Sequence, residues 1–213
     1  MATEAVIFDF DGVILDSFVV LPVVYKILTK ELNLNIPDHV LESGDFFKVD
    51  WKDNLKQLGL TSQQEIQKSV EIYHREYAKL EHHIMPFKGI KAALEALSKQ
   101  YKLAIVSSSY VETIESMLIK FELRGYFDCI IGADHGMLKP DPTPFFMCLD
   151  FLKVKPEVAV YIGDMDEDVL AARNAKLKKA IAVTYGFHSE TRLAKARPDL
   201  IISKPEEILE AVK

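Results

Sequence analysis

A chain of 213 residues that is 49% hydrophobic and 27% charged can bury one large domain, or a core domain with a smaller insert, without a disulfide framework. Its formal net charge of -6, with Lys and Arg scattered, argues against nucleic acid as a partner, since a nucleic-acid binder concentrates positive charge on one face. Cys129 and Cys148 lie in apolar stretches and read as reduced, buried thiols; with no basic and apolar leader and no apolar run near the roughly 20 residues that span a bilayer, the chain is expected to be cytoplasmic, with no membrane partner.

The first element is an apolar run, Ala5, Val6, Ile7 and Phe8, which suits a buried strand over 4–9 and ends on Asp9 and Asp11 before Gly12. In open α/β sheets the carboxyl edge of the strands is where ligands bind. Two adjacent carboxylates there call for a cation, although an apolar strand followed by an acidic turn is also common without one. The next comparable strand arrives only at Leu103. Between them the pattern is helical: Leu21, Val24, Leu28 and Leu32 recur at helical spacing, as do Ile66, Val70, Tyr73, Tyr77 and Leu80. Pro86 and Gly89 mark the return to the core and the start of a new helix.

From Leu103 the sequence alternates: strand 103–107, helix 110–121, strand 127–132, helix 143–152, strand 158–163, helix 166–175, strand 180–184 and strand 199–202. Such alternation predicts a parallel sheet with helices on both faces. The simplest parse is a doubly wound α/β core, residues 1–16 and 85–213, carrying an inserted α-helical module, residues 17–84, placed as a lid beside Asp9 and Asp11.

Three further polar signals close core strands or precede core helices. Ser107 ends AIVSSS; it can cap the next helix, or Ser108 or Ser109 can do so while Ser107 binds an anion. Lys139 lies in LKPDPTPF, before a helix signalled by Thr143 and Pro144, where an isolated lysine is usually a solvated charge. YIGDMDED ends a strand at Gly163 and supplies Asp164, Asp166, Glu167 and Asp168, some of which must simply cap a helix.

These four signals, DFDGV, Ser107, Lys139 and GDMDED, follow one another in order, each at the carboxyl side of a strand. In that order they resemble the motifs of the haloacid dehalogenase superfamily of phosphotransferases, and residues 17–84 match the family's cap in position. The resemblance implies a Rossmann-like core and a Mg2+-dependent phosphatase acting on a small phosphorylated metabolite. Asp9 would be the nucleophile that forms an aspartyl phosphate, and Asp11 the acid and base that protonates the leaving oxygen and deprotonates water. The metal would be held by the Asp9 carboxylate, the Asp11 carbonyl and Asp164. Ser107, with Ser108, would bind the phosphoryl oxygens, Lys139 would balance their charge, and Asp168 would orient Lys139 or a metal-bound water.

In the insert, the segment SGDFFKVDWKDNLK matches the position of the family's substrate loop, so Lys48, Trp51 and Lys52 are expected to touch substrate, unless the segment is a solvated turn with Trp51 packed inward. Related mutases tend to carry a histidine soon after the DS pair; here FVVLPVVYKIL has none, which favours hydrolysis over phosphomutase activity. A non-catalytic binding module would have lost one of these groups, and none is missing. His82 and His83 lack a partner at metal spacing and read as hinge or surface residues; the remaining histidines show no pattern, and Tyr185, Gly186 and Phe187 read as a turn. Phosphoglycolate, sugar phosphates, nucleotides and pyrophosphate all stay open as substrates, as does the oligomeric state.

Overall fold

A computed structural model describes residues 2–213. Its first strand, β1 (Ala5–Phe8), is wholly buried, as expected of an aliphatic strand with neighbours on both edges and both faces. After it come four helices, α1 (Leu21–Glu31), α2 (Asp38–Leu41), α3 (Trp51–Gln57) and α4 (Gln63–Leu80), none of which adds a strand to the sheet. The chain then alternates through α5 (Ile90–Leu97), β2 (Lys102–Val106), α6 (Val111–Lys120), β3 (Cys129–Ile131), α7 (Thr143–Leu152), β4 (Ala159–Gly163), α8 (Asp166–Asn174), β5 (Lys179–Val183), α9 (Glu190–Ala196), β6 (Leu200–Ile202) and α10 (Ile208–Ala211).

The six strands form one parallel sheet in the order β3-β2-β1-β4-β5-β6, the doubly wound order in which the direction of winding reverses beside β1. Phe8 pairs with Ile105 on one side and Ile162 on the other. That register brings Asp9, Ser107 and Asp164 to the same carboxyl edge. Side chains alternate across the sheet: Val6 and Phe8 join a core with Leu94, Ile114 and Ile208, while Ala5 and Ile7 join Phe145, Val169 and Leu193 on the opposite face.

Two helices, α9 and the short α10, escape the sequence reading, which placed none between or after the last two strands. Helix α9 lies between them, but its segment ETRLAKA is short and charged and buries only Leu193, so it has little apolar periodicity to detect.

The intervening helical segment has its own apolar cluster, in which Tyr25, Leu28, Leu41, Phe46, Phe47 and Ile72 meet Met165 and Phe187 from the sheet's carboxyl edge. A capping box between Ser62 and Glu65 starts its longest helix, α4. Its two ends leave and re-enter side by side: the Asp16 N–H donates to the Met85 carbonyl at 2.9 Å and the Phe87 N–H to the Ile14 carbonyl at 3.0 Å. The expected substrate loop is partly helical, with a 3-10 turn at Gly44–Phe46 followed by α3. Its Phe46 and Phe47 supply the buried aromatics, whereas Trp51 is 40% exposed and does not pack inward. No helix among the described residues is long and apolar enough to cross a membrane.

Candidate active site

The site grows from the end of β1. The Asp9 N–H continues the ladder to the Ile162 carbonyl at 2.8 Å, so its main chain is fixed by the sheet. One oxygen of its buried carboxylate accepts from the Phe10 N–H at 2.7 Å and the other lies 2.8 Å from Lys139 Nζ. Burial, opposed by Lys139 and reinforced by Asp168, pushes the Asp9 carboxyl up to about 7. The chain then turns through Gly12 at a positive φ of 75°, where a Cβ would come within 2.0 Å of Asp164 Oδ2.

Lys139 is buried, not the solvated charge that an isolated loop lysine usually is. Its ammonium meets Asp9 at 2.8 Å, Asp168 at 2.6 Å and the Tyr161 hydroxyl at 2.9 Å, which uses all three of its donors. Burial favours the neutral amine, but Asp168 and Asp9 outweigh it and hold Lys139 above its ordinary value, so it remains a cation. Tyr161 in turn lies 3.1 Å from Asp168 Oδ1 and 3.3 Å from the Val106 carbonyl, and its hydroxyl can donate to either.

Asp168 spends its other oxygen on the N–H groups of Asp164 and Met165, at 3.0 and 2.9 Å. It therefore ties Lys139 to the loop that carries Asp164. Asp164 is fully buried; Oδ2 accepts from the Phe187 N–H at 2.7 Å, while Oδ1 has no hydrogen-bond partner among the described residues. Burial, then Asp168 and Asp9, push its carboxyl well above the usual range. Asp9, Asp164 and Asp168 each bring a carboxylate oxygen within 4.8 Å of the others. A buried acceptor with no donor, among three carboxylates and a single lysine, fits a hard cation with oxygen ligands.

Ser107 is buried at the end of β2, and its Oγ accepts from the Ser109 N–H at 3.2 Å, leaving its own proton available. Neither Ser108 nor Ser109 caps α6, contrary to one of the two sequence readings. Asp134 does so from a separate loop, accepting the Val111 N–H at 2.7 Å. Ser109 donates instead to Asp11 Oδ2 at 2.6 Å, and the buried Ser108 Oγ has no hydrogen-bond partner among the described residues. The Asp11 carboxylate thus faces the Ser107–Ser109 loop and does not join the carboxylate trio. Lys48 reaches Glu167 at 3.7 Å, beside the site, whereas Trp51 and Lys52 are exposed at the start of α3 and no hydrogen bond or ion pair among the described residues joins their side chains to the carboxylates.

The sequence reading missed Tyr161, Ser109 and the Phe187 N–H. The one hydroxyl in the aliphatic strand AVYIG was a signal for Tyr161; a backbone donor arriving from beyond β5 leaves no trace in composition.

The fold and cluster together define an open α/β enzyme with an acidic, lysine-bearing centre at its switch point. The model of the haloacid dehalogenase-like hydrolase family matches residues 6–182, and the chain belongs to that family. It is 33% identical to a phosphoglycolate phosphatase of Aquifex aeolicus over 97% of this chain and 95% of that one. It is 29% identical to the pyrophosphatase PpaX of Listeria innocua, again over 97% and 95% of the two chains. Among solved structures, a haloacid dehalogenase-like hydrolase from Streptococcus pneumoniae superposes with a TM-score of 0.84 at 28% identity, covering 99% of both chains.

Proposed function

We propose that the chain is a Mg2+-dependent phosphatase that hydrolyses a small phosphorylated metabolite through an aspartyl phosphate on Asp9. The observation that carries this reading is the Asp9–Lys139–Asp168 chain of contacts beside the unpartnered Asp164 oxygen. A buried carboxylate on a rigid strand end, its charge balanced by a fixed ammonium, is a positioned nucleophile that needs no base once ionised. The names of the Aquifex and Listeria relatives support phosphate ester or phosphoanhydride cleavage.

Asp9 attacks phosphorus while Asp11 gives a proton to the leaving oxygen. Asp11 then takes a proton from the water that opens the aspartyl phosphate. Ser109 holds Asp11 before the substrate arrives, and Ser107 donates its free proton to a phosphoryl oxygen. Lys139 offsets the charge that gathers on the transferring group and on Asp9, and Asp168 and Tyr161 keep its ammonium in place. The cation would be held by the Asp9 carboxylate, the Asp11 carbonyl and Asp164, and would supply charge neutralisation between carboxylates and phosphate. The helical segment 17–84 acts as a cap over this edge and selects the leaving group. Helix α1, LPVVYKILTKE, carries no histidine to serve a mutase.

Pure protein is expected to release phosphate from an aryl phosphate with Mg2+ and to stop with EDTA. Asp9→Asn should lower kcat by at least about 10^3-fold at unchanged fold, on the scale of losing a covalent nucleophile. Unchanged phosphate release from that variant would overturn the assignment.

A further inference from the structure

A second polar cluster joins the helical segment to the loop after β5, and the chemistry above does not use it. The Asp45 carboxylate accepts from the Ser189 N–H and hydroxyl, both at 2.8 Å. Arg192 donates to the Asp45 carbonyl and, through Nε and Nη2, to both oxygens of Asp166 at 2.8 and 2.9 Å. His188 is buried between the two parts: Nδ1 lies 3.0 Å from the Asp166 main-chain nitrogen and 3.2 Å from its Oδ1, and Nε2 lies 3.0 Å from the Phe47 carbonyl oxygen. At Gly44 the two main chains touch, for a Cβ there would lie 1.6 Å from the Phe187 carbonyl oxygen.

The same loop also grips the site. The Phe187 N–H donates to Asp164 Oδ2 at 2.7 Å, and the His188 N–H to the Asp164 carbonyl at 3.2 Å. Two adjacent residues thus face the helical segment with one set of groups and hold Asp164 with another. Beside these polar contacts the Phe187 ring packs edge-on against Phe18 and Phe47, so the cluster is the hydrogen-bonded and charged part of a mixed join, and such groups recover hydration when they part. It can reopen at lower cost than an apolar seam of equal area, as expected between units joined by a hinge and moving during turnover.

We propose that Gly44–Lys48 and Phe187–Arg192 form a latch through which docking of the helical segment sets the position of Asp164. Closed, it holds Oδ2 on Phe187 and leaves Oδ1 free for the cation; open, it releases the loop and weakens the metal site before substrate is bound again. Asp45 and Arg192 are then positioning residues, acting on the metal through the main chain of Phe187 and His188. The inference rests on the reading of Asp164 as a metal ligand.

The test compares wild type with Asp45→Ala, Ser189→Ala and, as a control, Lys91→Ala, which removes an exposed ion pair with Glu122 elsewhere on the molecule. Mg2+ binding to metal-stripped protein is measured by calorimetry, and backbone opening by amide hydrogen exchange. Asp45→Ala should bind Mg2+ about tenfold more weakly, as when an outer partner of a metal ligand is lost. Exchange should rise in segments 44–48 and 185–192 alone, with the melting temperature nearly kept; Ser189→Ala should move the same way by less, and Lys91→Ala should change neither. Raised exchange with wild-type Mg2+ affinity would overturn the coupling, and unchanged exchange would overturn the latch. Exchange raised throughout the chain would reduce both residues to general stabilisers. If the wild type itself shows no Mg2+ binding, the metal reading and the coupling fall together, while the exchange still decides the latch.

Discussion

Lys139 shows how far one side chain can depart from its sequence context. In LKPDPTPF nothing distinguishes it from a surface lysine, yet it is enclosed by Asp9, Asp168 and Tyr161. Removing it would strand two buried carboxylates without their cation. Lys139→Met should therefore destabilise the metal-free protein by about 3–5 kcal/mol in urea unfolding, the cost of breaking a buried ion pair from one side. Asp9, Asp11, Ser107 and Asp164 were legible because their residue types follow apolar strands directly. Tyr161 and Ser109 were not, because their roles depend on which neighbour the sheet register and loop path bring to them.

At the scale of elements, the carboxyl-edge turns do most to shape the site. Gly12 is a turn in which left-handed backbone and close approach coincide, with Asp164 lying where its Cβ would be. On the proposed role of Asp164, Gly12→Ala should abolish Mg2+ binding in calorimetry while circular dichroism stays native, since the new methyl meets the Asp164 carboxylate and the Phe187 ring rather than the sheet. Element types were readable where apolar periodicity was strong, as in β1, β2, β4 and α4. Helix α9 and the Asp134 cap of α6 were not, since the first buries one leucine and the second reaches across from another loop. The turn at Tyr185–Phe187 was read as simple connection, yet its backbone holds Asp164.

For the molecule as a whole, the join between helical segment and core adds a pH dependence. Burial, with the hydrogen bond and charge of Asp166, raises the Glu167 carboxyl from 4.5 to about 7. The folded protein then holds this proton more tightly than the unfolded chain does. This contribution is fully present below pH 4.5 and is lost as pH rises towards 7. Glu167→Gln should remove that loss, so the variant gains on wild type between pH 5 and 7.5 by on the order of 1 kcal/mol in urea unfolding, the full shift being reduced by solvent screening at a partly exposed group.

The sequence by itself determined the doubly wound core, the helical stretch between its first two strands and the strand-end residues, because strand periodicity and the residues that close each strand are local properties of the chain. Tertiary structure alone decided that Lys139 is buried, that Asp11 rests on Ser109, and that the loop after β5 joins the helical segment to Asp164. Each of these is a contact between residues far apart in the chain, set by strand order and register, and a pattern of neighbours along a sequence carries no record of neighbours across a sheet.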